Sequence, residues 1–261
     1  MGRIDDAILA LEATEDGTER ALQLAGLIST LFKIKNVSLV VIGQLAFDSY
    51  ANTASPYPEV EFAPFAGEFA PRTILEIMRG QLYGQGSLYY WVVAGVPVRF
   101  VHDAGIEKRD LCREFTTDHG VVRLMPVEEI TADRILAAMH PSLDPEAHLQ
   151  AHHLLVHGLA DQFQMDWTAL HELCHRPEYR VGEELATMRL EAKKDMDALG
   201  VGRDHVGETG KLPTLAELTS QHVPETEIAD ELPIIDEINV VVTPPQPAAT
   251  AEPQSDGEAV R

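Results

Sequence analysis

The stretch Val37-Ser38-Leu39-Val40-Val41-Ile42-Gly43 decides the predicted fold. Its residues before the glycine are mostly aliphatic and rich in β-branched side chains, which is typical of a strand buried on both faces of a sheet. The segment from Gln44 to Tyr50 then has the length and composition of a short helix. The chain therefore places a strand, a glycine turn and a helix in immediate succession.

A second strand is predicted shortly after this helix. Ser55-Pro56-Tyr57-Pro58 is a turn-forming sequence, and the following Glu59-Val60-Glu61-Phe62 alternates polar and apolar residues. Because successive side chains of a strand point to opposite faces, Glu59 and Glu61 are expected on one face. Taken alone, this pattern is also typical of a strand whose outer face is simply solvated.

The rest of the pattern predicts mixed α and β structure before Pro126 and only helices after it. Earlier in the chain, helices are expected between Ile4 and Leu31 and after Pro71, and strands at Tyr89–Val101 and Val121–Met125. Later helices are expected at 128–139, 148–163, 166–175 and 183–199. The predicted fold class is therefore α+β, a mixed sheet flanked by helices and followed by a helical C-terminal half.

The segment 211–261 differs from the rest in composition. Its periodicity fades, and Thr243-Pro244-Pro245-Gln246-Pro247 is of low complexity, which predicts a disordered acidic tail. Within it, Ile238–Val242 is strand-like and suited to add to a sheet edge. The predicted organisation is an α/β domain at 1–126, a helical region packed on it at 127–210, and the tail.

Composition limits the classes of function. No apolar run approaches the roughly 20 residues needed to cross a membrane, and no export signal is visible. Two cysteines, Cys112 and Cys174, are too few for a disulfide scaffold and fit a reducing cytoplasm. We therefore expect a cytoplasmic protein without membrane contact.

The charge distribution bears on partners. From Pro213 to Arg261, ten carboxylates stand against Arg261 alone, so this segment carries −9 of the formal net charge of −22 and the body carries −13. A body this acidic is not expected to have general affinity for nucleic acid. Small substrates that arrive with a divalent cation, and a protein partner for the acidic tail, remain compatible with it.

The order of elements resembles the opening of the nucleotidyltransferase superfamily. In that family a strand ends in Gly-Gly or Gly-Ser, a helix follows, and the next strand presents Asp-x-Asp, which is similar to Val40–Ala46 followed by Glu59–Phe62. Gly95–Val101 resembles the third strand, and Leu124–Ala138 resembles the strand and helix of abortive-infection toxin-like members. The resemblance extends from about Leu22 to Leu199 and implies a nucleotidyltransferase-like mixed sheet.

The resemblance also implies an activity, metal-dependent nucleotidyl transfer. Carboxylates two residues apart hold Mg²⁺ or Mn²⁺, which neutralises phosphate oxygens and activates the attacking group. Glu59 and Glu61 would be the catalytic metal ligands. Gly43 and Gln44 would bind the phosphates of a nucleoside triphosphate through the backbone of the turn.

Several positions depart from the family pattern. Gln44 stands where Gly or Ser is usual, both expected aspartates are glutamates, and Arg134 replaces a common lysine. Arg99 stands at the position of the third acid, where a cation would repel a metal ion, and Asp103 would replace it only in a different strand register. Two interpretations therefore stay open: an active transferase, and a degenerate descendant that kept nucleotide or partner binding.

Two alternatives lie outside this family. One is a non-catalytic interaction protein that uses the acidic tail. The other is a zinc metallopeptidase, because His171-Glu172-Leu173-Cys174-His175 matches the H-E-x-x-H pattern, in which two histidines bind zinc and the glutamate activates water. Arg176-Pro177 interrupts the helix that this site needs. The candidates for its third ligand are His148, His152 and Glu191, although surface or half-buried histidines are the simpler interpretation of the whole histidine-rich region.

Overall fold

The computed structural model describes residues 3–198, which belong to one compact unit, Met1–Val223. The predicted tail at 211–261, including Ile238–Val242, lies outside the described residues. Among the helices of 3–198, none has both the length and the apolar character required to cross a bilayer. A single hydrophobic core contains residues from both sides of Pro126, so the strands and the later helices share it.

Within residues 3–198, the strands of one mixed sheet are β1 (Ser38–Ile42), β2 (Val60–Ala66), β3 (Gln85–Ser87), β4 (Tyr90–Val93), β5 (Val96–Phe100), β6 (Arg113–Thr117) and β7 (Gly120–Leu124). Their order in the sheet is β3-β4-β5-β2-β1-β7-β6. Strand β1 pairs antiparallel with β2 and parallel with β7, and β2 pairs parallel with β5. The antiparallel meander β3-β4-β5 completes one side of the sheet, and the antiparallel hairpin β6-β7 completes the other.

Eight α-helices are described within residues 3–198, and aspartates cap three of them. The side chains of Asp16, Asp144 and Asp166 accept N–H groups from the first turns of α2, α6 and α7, as N-cap residues commonly do. The helices are α1 (Arg3–Ala13), α2 (Gly17–Ile34), α3 (Gly43–Ala51), α4 (Pro71–Met78), α5 (Val127–Met139), α6 (Pro145–Leu159), α7 (Trp167–Cys174) and α8 (Gly182–Ala198). The predicted α+β fold, a mixed sheet with helices, is confirmed.

Strand β1 lies at the centre of the core and positions the candidate site. Val40 and Val41 are both fully buried. Because neighbouring strand residues point to opposite faces, the sheet is covered on both faces here, as its aliphatic sequence predicts. Helix α3 begins directly at the end of β1, so the glycine turn lies at the edge of the sheet.

Candidate functional site

The turn between β1 and α3 is built around Gly43. Its φ of +69° lies in the left-handed region that favours glycine, and a Cβ here would overlap Oε2 of Glu61. Ile42, the residue before α3, supplies no capping side chain to the N–H groups of the first turn. A helix N-terminus of this kind attracts anions such as phosphate.

Glu59 and Glu61 meet at one arginine beside this turn. Glu61 on β2 lies opposite Ile42 on β1 and opposite Arg99 on β5. Nη2 of Arg99 contacts Oε1 of Glu61, and its Nε lies 3.7 Å from Oε1 of Glu59. The side chains are exposed by 14% for Glu61, 36% for Glu59 and 50% for Arg99, so the cluster opens to solvent on the Arg99 side.

These residues do not fit a Mg²⁺ ion as they are arranged. Mg²⁺ requires a near-octahedral set of oxygen ligands, whereas Arg99 already places a positive charge on the two carboxylates. Asp103 accepts the N–H of Gly105 at 2.9 Å instead of joining the cluster. Within residues 3–198, no three His, Cys, Asp or Glu side chains are grouped so that they can hold a metal.

The side chain of Gln44 faces the helices instead of the turn. Its Oε1 accepts hydrogen bonds from Arg134 at 3.3 Å and Gln150 at 3.4 Å, and its Nε2 donates to Oδ1 of Asp48 at 2.9 Å. Burial raises the pKa of Asp48 and lowers that of Arg134. Gln44 therefore connects the turn to α5 and α6, and its backbone N–H is the part that remains available to a phosphate.

The H-E-x-x-H sequence forms α7 and its C-terminus. The rings of His171 and His175 stack at 4.0 Å between centroids, and Glu172 forms an ion pair with Lys108 at 2.8 Å. The three candidates for a third ligand lie on α6 and α8, where His148 lies 4.0 Å from Glu191. In the described part of the chain, the structure brings His171 and His175 together without a third ligand.

A group of histidines on α6 is buried more deeply than the sequence pattern indicates, since the apolar stripe of this helix placed only one of His152 and His153 at the edge of the core. His152, His153 and His157 are each at most 6% exposed, so the interpretation as surface or half-buried residues is wrong for them. The Nε2 atoms of His153 and His157 lie 2.7 Å apart. Desolvation lowers the pKa of His153 to about 3 and that of His157 to about 4, which keeps both rings neutral.

Two glutamates at the start of α5 are also buried. Oε1 of Glu129 accepts the N–H groups of Glu107 at 2.9 Å and Lys108 at 2.7 Å, and Oε1 of Glu128 accepts the N–H of Asp166 at 2.7 Å. Burial raises the pKa of Glu129 to about 6 and also raises that of Glu128. Both residues fall in the first turn of the helix predicted at 128–139, where carboxylates are favourable, but the sequence carried no signal for the loops that cover them.

Comparison with known proteins gives limited similarity. No protein-family model matches the chain, and no curated protein matches its sequence. Among solved structures, an antigenic nucleotidyltransferase-like protein from Paracoccidioides brasiliensis is similar at 13% identity and a TM-score of 0.41, over 67% of this chain and 93% of that one. The antibiotic-resistance factor ANT(2'')-Ia is similar at 15% identity and a TM-score of 0.33, over 76% and 93%. At these values, neither similarity assigns the chain to a family.

Proposed function

We propose that the chain is a degenerate nucleotidyltransferase-like protein that binds the phosphates of a nucleoside triphosphate without transferring a nucleotidyl group. The observation that carries the proposal is the contact of Arg99 with Glu61 and its approach to Glu59. The strand register places Arg99 directly opposite Glu61, at the position where the family resemblance calls for a third acid. A fixed cation thus stands where a transferase would need a metal ligand.

The ion pair changes what the site attracts. Two uncompensated carboxylates would attract Mg²⁺ and repel phosphate, whereas a guanidinium between them neutralises half of their charge. The remaining positive potential comes from the N-terminus of α3 at Gly43 and from the half-exposed guanidinium of Arg99. Phosphate oxygens would then bind to backbone N–H groups and arginine without a bridging metal.

Calorimetric titration with each of the four nucleoside triphosphates tests this binding, once with Mg²⁺ and once with EDTA. We expect at least one nucleotide to bind as tightly in EDTA as in Mg²⁺, since no metal ion is needed. Arg99→Gln should weaken binding by about tenfold, because it leaves Glu59 and Glu61 uncompensated beside the phosphates. Arg72→Gln, which changes an exposed arginine on α4, is the matched control and should leave the affinity unchanged. Binding that requires Mg²⁺ would contradict the proposal.

A label-transfer assay tests the absence of catalysis. The protein is incubated with radiolabelled nucleoside triphosphates, Mg²⁺ or Mn²⁺, and RNA or cell extract, beside the Glu59→Gln/Glu61→Gln variant. We expect no transfer by either protein. Transfer by the wild type that the double substitution abolishes would instead establish an active transferase with Glu59 and Glu61 as its metal ligands.

A further inference from the structure

A cleft lies at the same edge of the sheet as the Arg99 cluster, which consists of Arg99, Glu59 and Glu61, but on the other side of β1. On one side of β1, the cross-strand pairs lead to Glu61 on β2 and then to Arg99 on β5. On the other side, they lead to Leu124 on β7 and then to Arg113 on β6. The cleft has a volume of about 620 Å³, within the range of small-molecule sites. Its walls are Asp110, Leu111, Cys112, Arg113, Glu128, Gln164, Met165 and Asp166.

Glu128 in this cleft has an unused hydrogen-bond acceptor. Glu128 is only 1% exposed, and its Oε1 accepts the N–H of Asp166. Its Oε2 is buried and has no hydrogen-bond partner among residues 3–198. A buried carboxylate oxygen without a partner is costly, and accordingly burial raises the pKa of Glu128. A donor from a ligand would satisfy this oxygen.

Arg113, the one cation among the described residues that line the cleft, is already engaged. The guanidinium of Arg113 donates to the carbonyl oxygen of Gln164 and lies 5.5 Å from the ring centroid of Tyr50 and 5.6 Å from that of Phe163. These contacts hold it against the protein by a hydrogen bond and by cation–π interaction. Arg113 is therefore poorly placed to bind an anionic ligand in the cleft.

Acidic groups dominate the rest of the lining. Asp110 is exposed, and Asp166 uses Oδ1 to cap α7. Together with Glu128 they outnumber Arg113 by three to one. Within 3–198 these carboxylates are not grouped closely enough to chelate a metal ion, so separate positive groups suit them better than one ion.

We propose that this cleft binds a small organic diamine, with one ammonium group donating to Oε2 of Glu128 and the other lying near Asp110. Leu111 and Met165 supply apolar surface for the hydrocarbon chain between the two charges. The site is separate from the Arg99 cluster and does not depend on the function proposed for it. It assigns a ligand class to a cleft that the nucleotide site does not use.

Isothermal titration with putrescine, 1,4-diaminobutane, tests the proposal at low ionic strength, with uncharged 1,4-butanediol as the matched ligand control. Glu128→Gln keeps the shape of the side chain and the acceptor for Asp166, yet it should weaken putrescine binding by about tenfold or more. Asp110→Asn should weaken it by about threefold. Glu183→Gln changes an exposed acid on α8 and should leave the affinity for putrescine unchanged. This variant is the control for non-specific attraction of the diamine to an acidic chain.

The comparison among these variants decides the outcome. Failure of the wild type to bind putrescine, equal binding by wild type and Glu128→Gln, or equal binding of the diol would each overturn the proposal. Thermal unfolding confirms that each variant is folded. Should Glu128→Gln fail to fold, Asp110→Asn at its exposed position gives the decision alone, and unchanged affinity in that variant would overturn the assignment.

Discussion

Two pairs of glutamates lie at the same edge of the sheet and are accommodated in different ways. Glu59 and Glu61 are partly exposed, and half of their charge is compensated by the side chain of Arg99. Glu128 and Glu129 are at most 2% exposed, and they accept hydrogen bonds from backbone N–H groups. The charge of the first pair is thus partly neutralised by an opposite charge, whereas the second pair is held by peptide groups and its burial raises the pKa of both carboxyls.

The two pairs therefore affect different properties, because the exposed pair bears on ligand binding and the buried pair bears on folding stability. An exposed ion pair contributes little to folding because water solvates its charges almost as well, although it decides whether a metal can bind. A buried carboxylate that accepts several N–H groups contributes to the stability of the loops around it. We therefore expect substitutions in the buried pair to change the free energy of unfolding, and substitutions at the exposed pair to change ligand binding.

The largest expected effect is that of Glu129→Ala. This change removes the acceptor for the N–H groups of Glu107 and Lys108 and leaves a cavity beneath them. The free energy of unfolding should fall by about 3 kcal/mol. Glu59→Ala, the matched control in the exposed pair, should change it by less than about 0.5 kcal/mol. Urea denaturation measures both, and equal losses would remove the contrast between the two pairs.

The pH dependence of stability gives an intermediate effect. Glu129 has a pKa of about 6 in the folded chain against an ordinary value of 4.5, so the folded state binds this proton more tightly. The stabilisation is fully present below pH 4.5 and is lost as the pH rises through 6, a change of about 2 kcal/mol.

Glu129→Gln isolates this contribution because the amide does not titrate. The difference in unfolding free energy between wild type and variant should shift in favour of the variant by about 2 kcal/mol between pH 4 and 7. Buried His153 and His157 titrate in both proteins and cancel in the difference. A difference independent of pH would show that Glu129 is not protonated on folding.

The smallest expected effect is that of Arg99→Gln on stability. The side chain is half exposed, so its ion pairs with Glu59 and Glu61 should contribute less than about 1 kcal/mol to unfolding in urea. A loss of several kcal/mol would show that Arg99 stabilises the sheet and that its position opposite Glu61 has a structural cause.

Local patterns predicted the elements that form the Arg99 cluster. A continuous aliphatic run predicted β1, and alternation predicted that Glu59 and Glu61 lie on one face, where the structure places both near Arg99. Such signals depend only on residues that are neighbours in the sequence, so one sequence is enough to recognise them. Strands β3 and β6 were not predicted because they are short, lie at the two sides of the sheet and carry few buried apolar residues.

Burial of charged residues could not be predicted in the same way. Glu129 is covered by the loop that contains Glu107 and Lys108, and Glu128 by the segment before α7. Both segments are distant from α5 in sequence. The burial of His153 likewise depends on how α6 packs against α5 and α8, which its helical periodicity leaves open.

Titration with Mn²⁺, followed by electron paramagnetic resonance, tests the central claim that Arg99 has taken the place of a metal ion. The wild type should show only the weak background of an acidic chain, measured in the Glu59→Gln/Glu61→Gln variant. Arg99→Asp supplies a third carboxylate beside Glu59 and Glu61 and should raise the Mn²⁺ affinity by about a hundredfold, with Arg99→Gln in between. Tight Mn²⁺ binding by the wild type, lost in Glu59→Gln/Glu61→Gln and not improved by Arg99→Asp, would contradict the account.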